Sequence, residues 1–589
     1  MNFEKTKEKL KTLVSEWGRA DVYLVGGCVR DILMGLPPKD IDVCVDYPDG
    51  ATVFCDYLKK NHSSCCSGFV VYPKYGTSKF SLHLDSGEEV DIECVMPRTE
   101  TYNSGPRKPD QVKYTTLQED AKRRDFCCNA LYLNVLSGEI IDPTGYGKFD
   151  IEYKLLRTPC DPQTTFIDDP LRMLRAFRFA AQKGFKILAE VLSGMKDYPE
   201  YYQLSHERVR DEFTKILMSD SPVVWIRELH WHGLLKFILP EFETAWGFDQ
   251  NTKYHNLSLT DHSLYVLDWV IKFGADLDLR LAALLHDIGK YTCLVKKPNG
   301  SYSYPGHERT SAVVSEEILK RLKYPDKTVT RVTELIKNHM IIKPLYDRDK
   351  KVYTGTLKKT REVARKLGDN LKDEMKLIDA DNRSHAEDYN MPEQVDGFWR
   401  KLVEASGGEE KKVPTLPVNG KQIMEALGLT SGNKTVGDVL KVLRGWFDED
   451  PTQTSQQLLD RYLHEYSGKE FYVFKGVAET WNVCMNPVIK KPGYYSPQPF
   501  QISMETSDSC PVYNPDCDSV VKVSAIHYPI LYQQLTRFYK SREILSRIEK
   551  EMSELCGLPG FSGISLDLDD GGDLTGEIRW DDKKPDWII

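Results

Sequence analysis

Leu24-Val25-Gly26-Gly27-Cys28-Val29-Arg30-Asp31, with Asp40-Ile41-Asp42 a short way downstream, decides how the chain is read. An apolar strand runs into a Gly-Gly turn, a helix start follows, and a second strand then carries carboxylates at i and i+2. Side chains two apart on a strand share a face, so Asp40 and Asp42 project together and can share two hard cations. Gly26 and Gly27 permit close backbone approach, and the amides opening the next helix would face anionic phosphates. Arg30, followed by Asp31, is placed to add a charge-assisted contact. Such a site suits a nucleoside triphosphate with Mg²⁺, where paired ions activate an attacking hydroxyl and neutralise departing pyrophosphate.

Working outward, Val90-Asp91-Ile92-Glu93-Cys94-Val95 alternates like a strand and puts Asp91 and Glu93 on one face. Glu93 is the expected third carboxylate, with Asp91 in reserve. The segment 98–116, which includes Gly105-Pro106-Arg107-Lys108-Pro109, has no periodicity and reads as a mobile loop. Beyond it, Arg124, Asp125 and Asn129 offer a cation for phosphate, an acceptor for a ribose hydroxyl and an amide that can fix either.

Asp168-Asp169-Pro170-Leu171-Arg172-Met173-Leu174-Arg175-Ala176-Phe177-Arg178-Phe179 reads as a helix with Asp169 at the N-cap, Pro170 at the first helical position and one apolar face. Arg172, Arg175 and Arg178 stack three guanidinium groups along its other side, which is costly without anions nearby. Asp169 and Arg172 can also read a base edge. Cytosine and adenine each present an amine donor beside a ring-nitrogen acceptor, whereas uracil and guanine present a carbonyl beside an N–H. A carboxylate accepting from the amine and a guanidinium donating to the ring nitrogen would select C and A with protein as template.

The ordered segments LVGGCVRD, KDIDV, RRDFCCNAL, IDPTGYGKFD, DDPLRMLRAFRFAAQKGF, SHERVRDEFTKIL and GLLKFILPE closely resemble the class II tRNA nucleotidyltransferases, the CCA-adding enzymes, and their bacterial poly(A) polymerase relatives, over about residues 20–465. The resemblance implies an α+β fold: a polymerase-β-like nucleotidyltransferase head with a mixed sheet, then a mostly helical neck, body and tail. It implies Gly27 and Arg30 at the triphosphate, Asp40 and Asp42 as Mg²⁺ ligands, and Glu93 in the third-carboxylate position through its spacing to Arg98 and Glu100. Arg124, Arg175 and Arg178 would hold the nucleotide, and Asp169 with Arg172 would read its base. Glu207, Arg208 and Glu212 would form a structural helix motif. Cys127-Cys128 departs from the family, which usually carries Thr and an aliphatic residue there; this is a packing change. The implied activity is template-independent addition of C, C and A to tRNA 3′ ends from CTP and ATP. A poly(A) or A-only polymerase, or a hydrolase whose head merely binds RNA, is the alternative.

His262, His286-Asp287 and Asp381 are spaced like an HD domain, with LAALLHDIGK as context, and His307 and His339 can add a second metal. Imidazole and carboxylate ligands together suit Mn, Ni, Fe or Mg. Family members with such a domain include phosphohydrolases. The expected domains are 1–155 (head), 156–245 (nucleotide-selecting neck), 246–390 (HD), 391–467 (tail-type, tRNA-binding) and 468–589 (an α+β extension of unknown role).

Composition fits this reading. The 589 residues are 41% hydrophobic and 28% charged, ordinary for a soluble globular protein. No apolar run approaches the ~20 residues of a bilayer span, and MNFEKTKEKLKTLVSEWG reads as an amphipathic helix and not a signal peptide, so no membrane association and a cytoplasmic location are expected. Fourteen scattered cysteines suit reduced thiols. Of the net charge of −9, more than half lies in residues 468–589, which carry eighteen acidic and thirteen basic side chains, leaving the body free to present a basic face. In that extension 528–555 reads as an amphipathic helix and Asp567–Asp573 as a solvated acidic turn. Neither points to chemistry.

Overall fold

The computed structural model describes residues 3–101, 111–195, 204–391, 393–405, 415–427 and 434–466, and beyond them the backbone of strands at 470–475, 481–485, 520–524, 561–568 and 574–580. The chain forms two compact units: Met1–Tyr353 with Leu367–Asp396, and Thr354–Lys366 with Gly397–Ile589. Residues 354–366, inside the stretch expected to be HD domain, group with the second unit.

The first unit opens with α1 (Phe3–Trp17), whose Leu10, Leu13, Val14 and Trp17 are buried. Then come β1 (Val22–Val25), α2 (Gly27–Leu33), β2 (Ile41–Val45), α3 (Gly50–Asn61), β3 (Cys66–Tyr72), β4 (Thr77–His83) and β5 (Glu89–Val95). With β8 (Tyr132–Asn134) and β9 (Ile140–Ile141) they form a seven-stranded sheet of order β3-β4-β5-β2-β1-β8-β9. The sheet is mixed because β2 and β5 run parallel while its other pairs are antiparallel. Val43, Cys44, Val45 and Ile92 are fully buried, the near-continuous apolar pattern of central strands. Their polar neighbours Asp42 and Glu93 stand on the face that α1 and α3 leave open.

Two further strands correct the reading of 98–116 as a mobile loop: β6 (Arg98–Thr101) pairs antiparallel with β7 (Gln111–Tyr114). Bonds of Arg98, two of them non-local, hold this ribbon. Arg98 donates to Glu100 at 2.7 Å and to the Tyr75 carbonyl at 2.7 Å, and its own N–H reaches Asp120 at 3.1 Å. Residues 102–110 lie outside the described residues.

Short helices α4 (Leu117–Lys122), α5 (Gly147–Glu152) and α6 (Pro162–Asp168) lead to α7 (Leu171–Lys183), α8 (Ala189–Gly194) and α9 (His206–Leu217). The strands β10 (Leu155–Leu156) and β11 (Lys186–Ile187) pair parallel between them. Asp169 sits one residue further out than expected: Pro170 precedes the first helical residue, and the Asp169 carboxylate still caps by accepting the Leu171 N–H at 3.2 Å. The helical remainder of the unit is α10 (Pro222–Trp231), α11 (Pro240–Thr244), α12 (Leu259–Lys272), α13 (Leu277–Leu285), α14 (His307–Arg321) and α15 (Asp326–Asn338), closed by Leu371–Arg383.

In the second unit, helices Gly420–Leu427, Lys434–Glu449 and Ser455–Tyr466 share a core of Ile423, Val439, Leu443, Trp446 and Leu458. Strand Glu470–Lys475 pairs antiparallel with Trp481–Met485 and Val520–Ser524, and Phe561–Leu568 pairs with Leu574–Trp580. The expected helix over 528–555 and the acidic turn after Leu568 lie outside the described residues. The ten described cysteines are all free. No described helix is long and apolar enough to cross a membrane.

Candidate active site

Asp42 and Glu93 are register partners across the parallel β2–β5 pair, so their side chains stand side by side on one face. Asp40, exposed at the entry to β2, adds a third negative charge. Burial first, then the charges of Glu93 and Asp40, raise Asp42 to about 6, with Arg124 opposing. A half-buried carboxylate burdened in this way fits a divalent cation, which replaces mutual repulsion by shared attraction. Asp91, the reserve, is engaged elsewhere: Lys79 holds it at 2.8 Å and the Ser81 hydroxyl at 2.8 Å.

Gly26 lies against this cluster with φ +68°, a region other residues enter only with strain. A Cβ there would stand 3.5 Å from Asp42 Oδ2 and 3.6 Å from Arg124 Nη1. Arg124 is itself set from behind by buried Asp120, which accepts from its Nη2 at 3.1 Å, from Arg123 Nη2 at 2.7 Å and from the Tyr132 hydroxyl at 2.5 Å. Burial works against ionisation of Asp120, but the two guanidiniums hold it well below the usual carboxylate range. Asp120 precedes Arg124 by one helical turn, a spacing that offered the only sequence signal for this support.

The other expected nucleotide-binding residues fall into one buried chain of charges. Lys183 at the end of α7 reaches Asp31 at 3.0 Å; Asp31 also takes Arg30 Nη2 at 2.7 Å; Arg30 Nη1 donates to Asn129 at 2.7 Å. Asn129 in turn donates to Asp125 at 2.9 Å, and Arg175 closes on Asp125 at 2.6 Å. Arg175 and Arg178 then share Glu212 of α9, the former at 3.9 Å. Protein carboxylates therefore answer two of the three stacked guanidiniums. Arg172 is not paired with Asp169. It donates to the carbonyls of Thr165 (3.1 Å) and Arg123, while Asp169 is clamped by Arg208 at 2.7 Å. The segment SHERVRDE thus reaches Asp169 through Arg208, and Arg175 and Arg178 through Glu212. Glu212→Ala would leave Arg178 buried without its carboxylate. Its expected cost is about 3–5 kcal/mol, measured as a lowered urea midpoint of the first unit. An unchanged midpoint would show that Asp125 suffices.

The second cluster lies deep among α12, α13, α14, α15 and Leu371–Arg383. His262, His286 and Asp381 form one group of ligand atoms within 4.8 Å of one another, and Asp287, His307 and His339 form another. Asp287 joins the two: Oδ2 lies 3.2 Å from His262 Nε2 and 3.3 Å from His286 Nε2, while Oδ1 lies 3.4 Å from His307 Nε2 and 3.8 Å from His339 Nε2. The far ring nitrogens set the orientation. Nδ1 of His286, His307 and His339 meets the carbonyls of Ala283 (2.9 Å), Tyr304 (2.9 Å) and Ile336 (2.6 Å), which leaves each Nε2 lone pair facing the centre. Burial keeps His307 and His339 neutral. For His262 burial is outweighed by Asp287 and Asp381, and its pKa is raised. Converging lone pairs around two buried carboxylates fit divalent metal.

Sequence reading missed the cations of this centre. Lys290 lies 2.6 Å from Asp287, and Lys343 lies 2.6 Å from Asp381. They line a cleft of about 230 Å³ together with His255, His385, Lys297 and Arg348. Against its carboxylates Asp287 and Asp381 the cleft presents four cationic ends, so an anion is its fitting occupant. Lys290 was signalled by the HDIGK context, whereas Lys343 is brought in only by tertiary packing.

A sheet-borne acidic cluster beside a glycine turn, linked by arginines to a following helix and accompanied by a histidine–aspartate centre, defines a nucleotidyl-transfer head joined to an HD domain. Comparison agrees: the Poly A polymerase head domain matches residues 22–157, the "Probable RNA and SrmB- binding site of polymerase A" matches 184–245, and the HD domain matches 259–382. The Multifunctional CCA protein of Neisseria gonorrhoeae is 30% identical over 388 residues, covering 65% of this chain and 89% of that protein. The A-adding tRNA nucleotidyltransferase of Deinococcus radiodurans is 30% identical over 465 residues, covering 76% and 96%. The structure of the Bacillus stearothermophilus CCA-adding enzyme in complex with CTP shares the fold, with TM-score 0.50, 21% identity and coverage of 79% and 98%. The chain belongs to the tRNA nucleotidyltransferase and poly(A) polymerase family.

Proposed function

We propose that this protein adds C, C and A to the 3′ end of tRNA from CTP and ATP, without a nucleic-acid template. The observation that carries the proposal is the carboxylate pair Asp42–Glu93, joined by Asp40, beside Gly26 and Arg124. Mg²⁺ held by Asp40 and Asp42, with Glu93, would supply Lewis acidity for the attacking 3′-hydroxyl and charge neutralisation for departing pyrophosphate. Gly26 and Gly27 let the triphosphate approach the backbone, and Arg30 and Arg124 oppose its negative charge. Asp125 and Asn129 fix the ribose. Arg175 and Arg178, anchored by Asp125 and Glu212, hold the nucleotide, and Asp169 and Arg172 read its amine and ring nitrogen. Relatives named Multifunctional CCA protein and A-adding tRNA nucleotidyltransferase support the activity. The head, neck, HD and tail boundaries, tRNA contact by the tail helices and a cytoplasmic location belong to the same reading.

Purified protein given tRNA lacking its terminus and single NTPs tests the proposal. CTP is expected to extend the tRNA by C, and CTP with ATP to complete CCA. Incorporation of A alone, whatever CTP is supplied, would support an A-adding polymerase, the activity named in the Deinococcus relative. Asp169→Ala is expected to erode the preference for C and A over U and G by roughly tenfold to a hundredfold, the worth of one two-contact base readout. The ratio of kcat/KM for CTP and UTP measures it, and an unchanged ratio removes Asp169 from base choice.

A second activity is favoured by the converging Nε2 atoms and the cationic cleft. His262, His286, Asp287 and Asp381, with His307 and His339, would hold a divalent transition metal or Mg²⁺ and hydrolyse phosphate esters, Lys290 and Lys343 meeting the phosphoryl oxygens.

A further inference from the structure

One face of the first unit is built against the usual pattern of a surface helix. α5 turns Gly147, Asp150 and Ile151 inward and leaves three rings outside: Tyr146 is 51% exposed, Phe149 48% and Tyr153 58%. Three large rings left about half exposed on one short helix form an apolar patch of the kind that marks an interaction surface.

The rings are held by contacts with one another and with Arg157. Phe149 and Tyr153 lie 4.5 Å apart between centroids, tilted by 34°. Tyr146 is backed by the Arg157 guanidinium 4.4 Å from its centre, and Arg157 is in turn held by Asp150 and Glu190, each at 3.4 Å. Gly147 anchors the helix to the turn carrying Asn129: a Cβ there would lie 2.7 Å from the Cys127 carbonyl and 2.8 Å from Leu131. The backbone of the platform is thus anchored, and the ring contacts favour one arrangement of its side chains, which lowers the ordering cost of binding.

Its rim is basic. Lys148, Lys154 and Lys186 are exposed, and none of these three ammonium groups has an ion-pair partner among the described residues. The Lys186 amide donates to the Lys154 carbonyl at 2.7 Å, which brings two of the three together. Of the nearby exposed acids, Glu152 and Glu190, the second is spent on Arg157. Flat rings interleaved with unpaired ammonium groups match a polyanion that carries its own flat rings.

We propose that Tyr146, Phe149 and Tyr153, with Lys148, Lys154 and Lys186, form an exosite for single-stranded RNA, separate from the nucleotide pocket. The rings stack unpaired bases and the lysines meet the phosphates flanking them. The inference rests on the reading that the head extends RNA, and adds where on the molecule an unpaired stretch of that RNA is gripped.

Full-length protein without nucleotide, titrated into a fluorescent oligoadenylate and followed by anisotropy, tests this directly. Phe149→Ala combined with Tyr153→Ala is expected to weaken binding about tenfold to a hundredfold. Lys154→Glu combined with Lys186→Glu is expected to weaken it too, and to flatten the salt dependence by about one unit of logarithmic slope. The KM for CTP should stay unchanged in both. Affinity within about twofold of the parent in both variants overturns the exosite, as does a change in sedimentation behaviour without a change in RNA affinity, which would assign the face to a protein contact. If the parent binds oligoadenylate through these residues yet incorporates no nucleotide, the exosite stands and the proposed reaction falls.

Discussion

Asp42→Asn is expected to abolish nucleotide incorporation, with a loss of roughly a thousandfold or more, about 4 kcal/mol of transition-state stabilisation. The substitution keeps the shape of the side chain and removes the charge, so the strand and its register with Glu93 survive. Asp91→Asn is the matched control: its carboxylate is tied to Lys79 and Ser81 outside the Asp42–Glu93 pair and should leave incorporation within about twofold. The pH profile carries the same argument. Asp42 sits near 6 before a cation binds, so below that pH a proton must leave before a metal can enter. At limiting Mg²⁺, incorporation should fall about tenfold for each pH unit below 6, and excess Mg²⁺ should shift the limb to lower pH. A limb indifferent to Mg²⁺ concentration would separate Asp42 from metal binding.

The second large effect belongs to Asp287. Because its two oxygens face both histidine groups, Asp287→Ala is expected to empty the whole centre, whereas His307→Gln should remove one metal and spare the other. Changes in groups that merely orient metal ligands cost about 10–100-fold, so loss of a shared ligand should lower phosphomonoester hydrolysis by at least a hundredfold. Metal content of the purified variants and turnover of p-nitrophenyl phosphate provide the measurements. CCA incorporation should persist in the glutamine variant. The alanine variant also strands Lys290 beside a missing carboxylate, so the milder substitution keeps the prediction open to refutation if the first misfolds. Equal metal content in all three proteins would show that Asp287 is not a shared ligand.

Local sequence determined much of this protein. Gly26-Gly27 between an apolar strand and a helix, Asp42 two residues beyond Asp40, and His286-Asp287 at the end of an apolar helix are short-range patterns. Period-2 and period-3.6 geometry dictates which of their side chains share a face. The family order of these motifs extended that reading to the head, the helical neck and the HD domain. Other features were legible only in three dimensions. Residues 98–101 and 111–114 carry no strand periodicity, and they pair because Arg98 finds Glu100, Tyr75 and Asp120.

The stacked arginines looked short of anions because Asp125 and Glu212 are distant in sequence, and only packing of α7 against the 125–129 turn and α9 brings them within reach. Arg208, not Arg172, clamps Asp169, and Lys343 arrives beside Asp381, for the same reason. Charges buried in low dielectric seek whichever partner the fold delivers, and sequence distance does not enter that energy. Residue order thus chose the chemical groups and their local faces, while the fold chose which charge neutralises which.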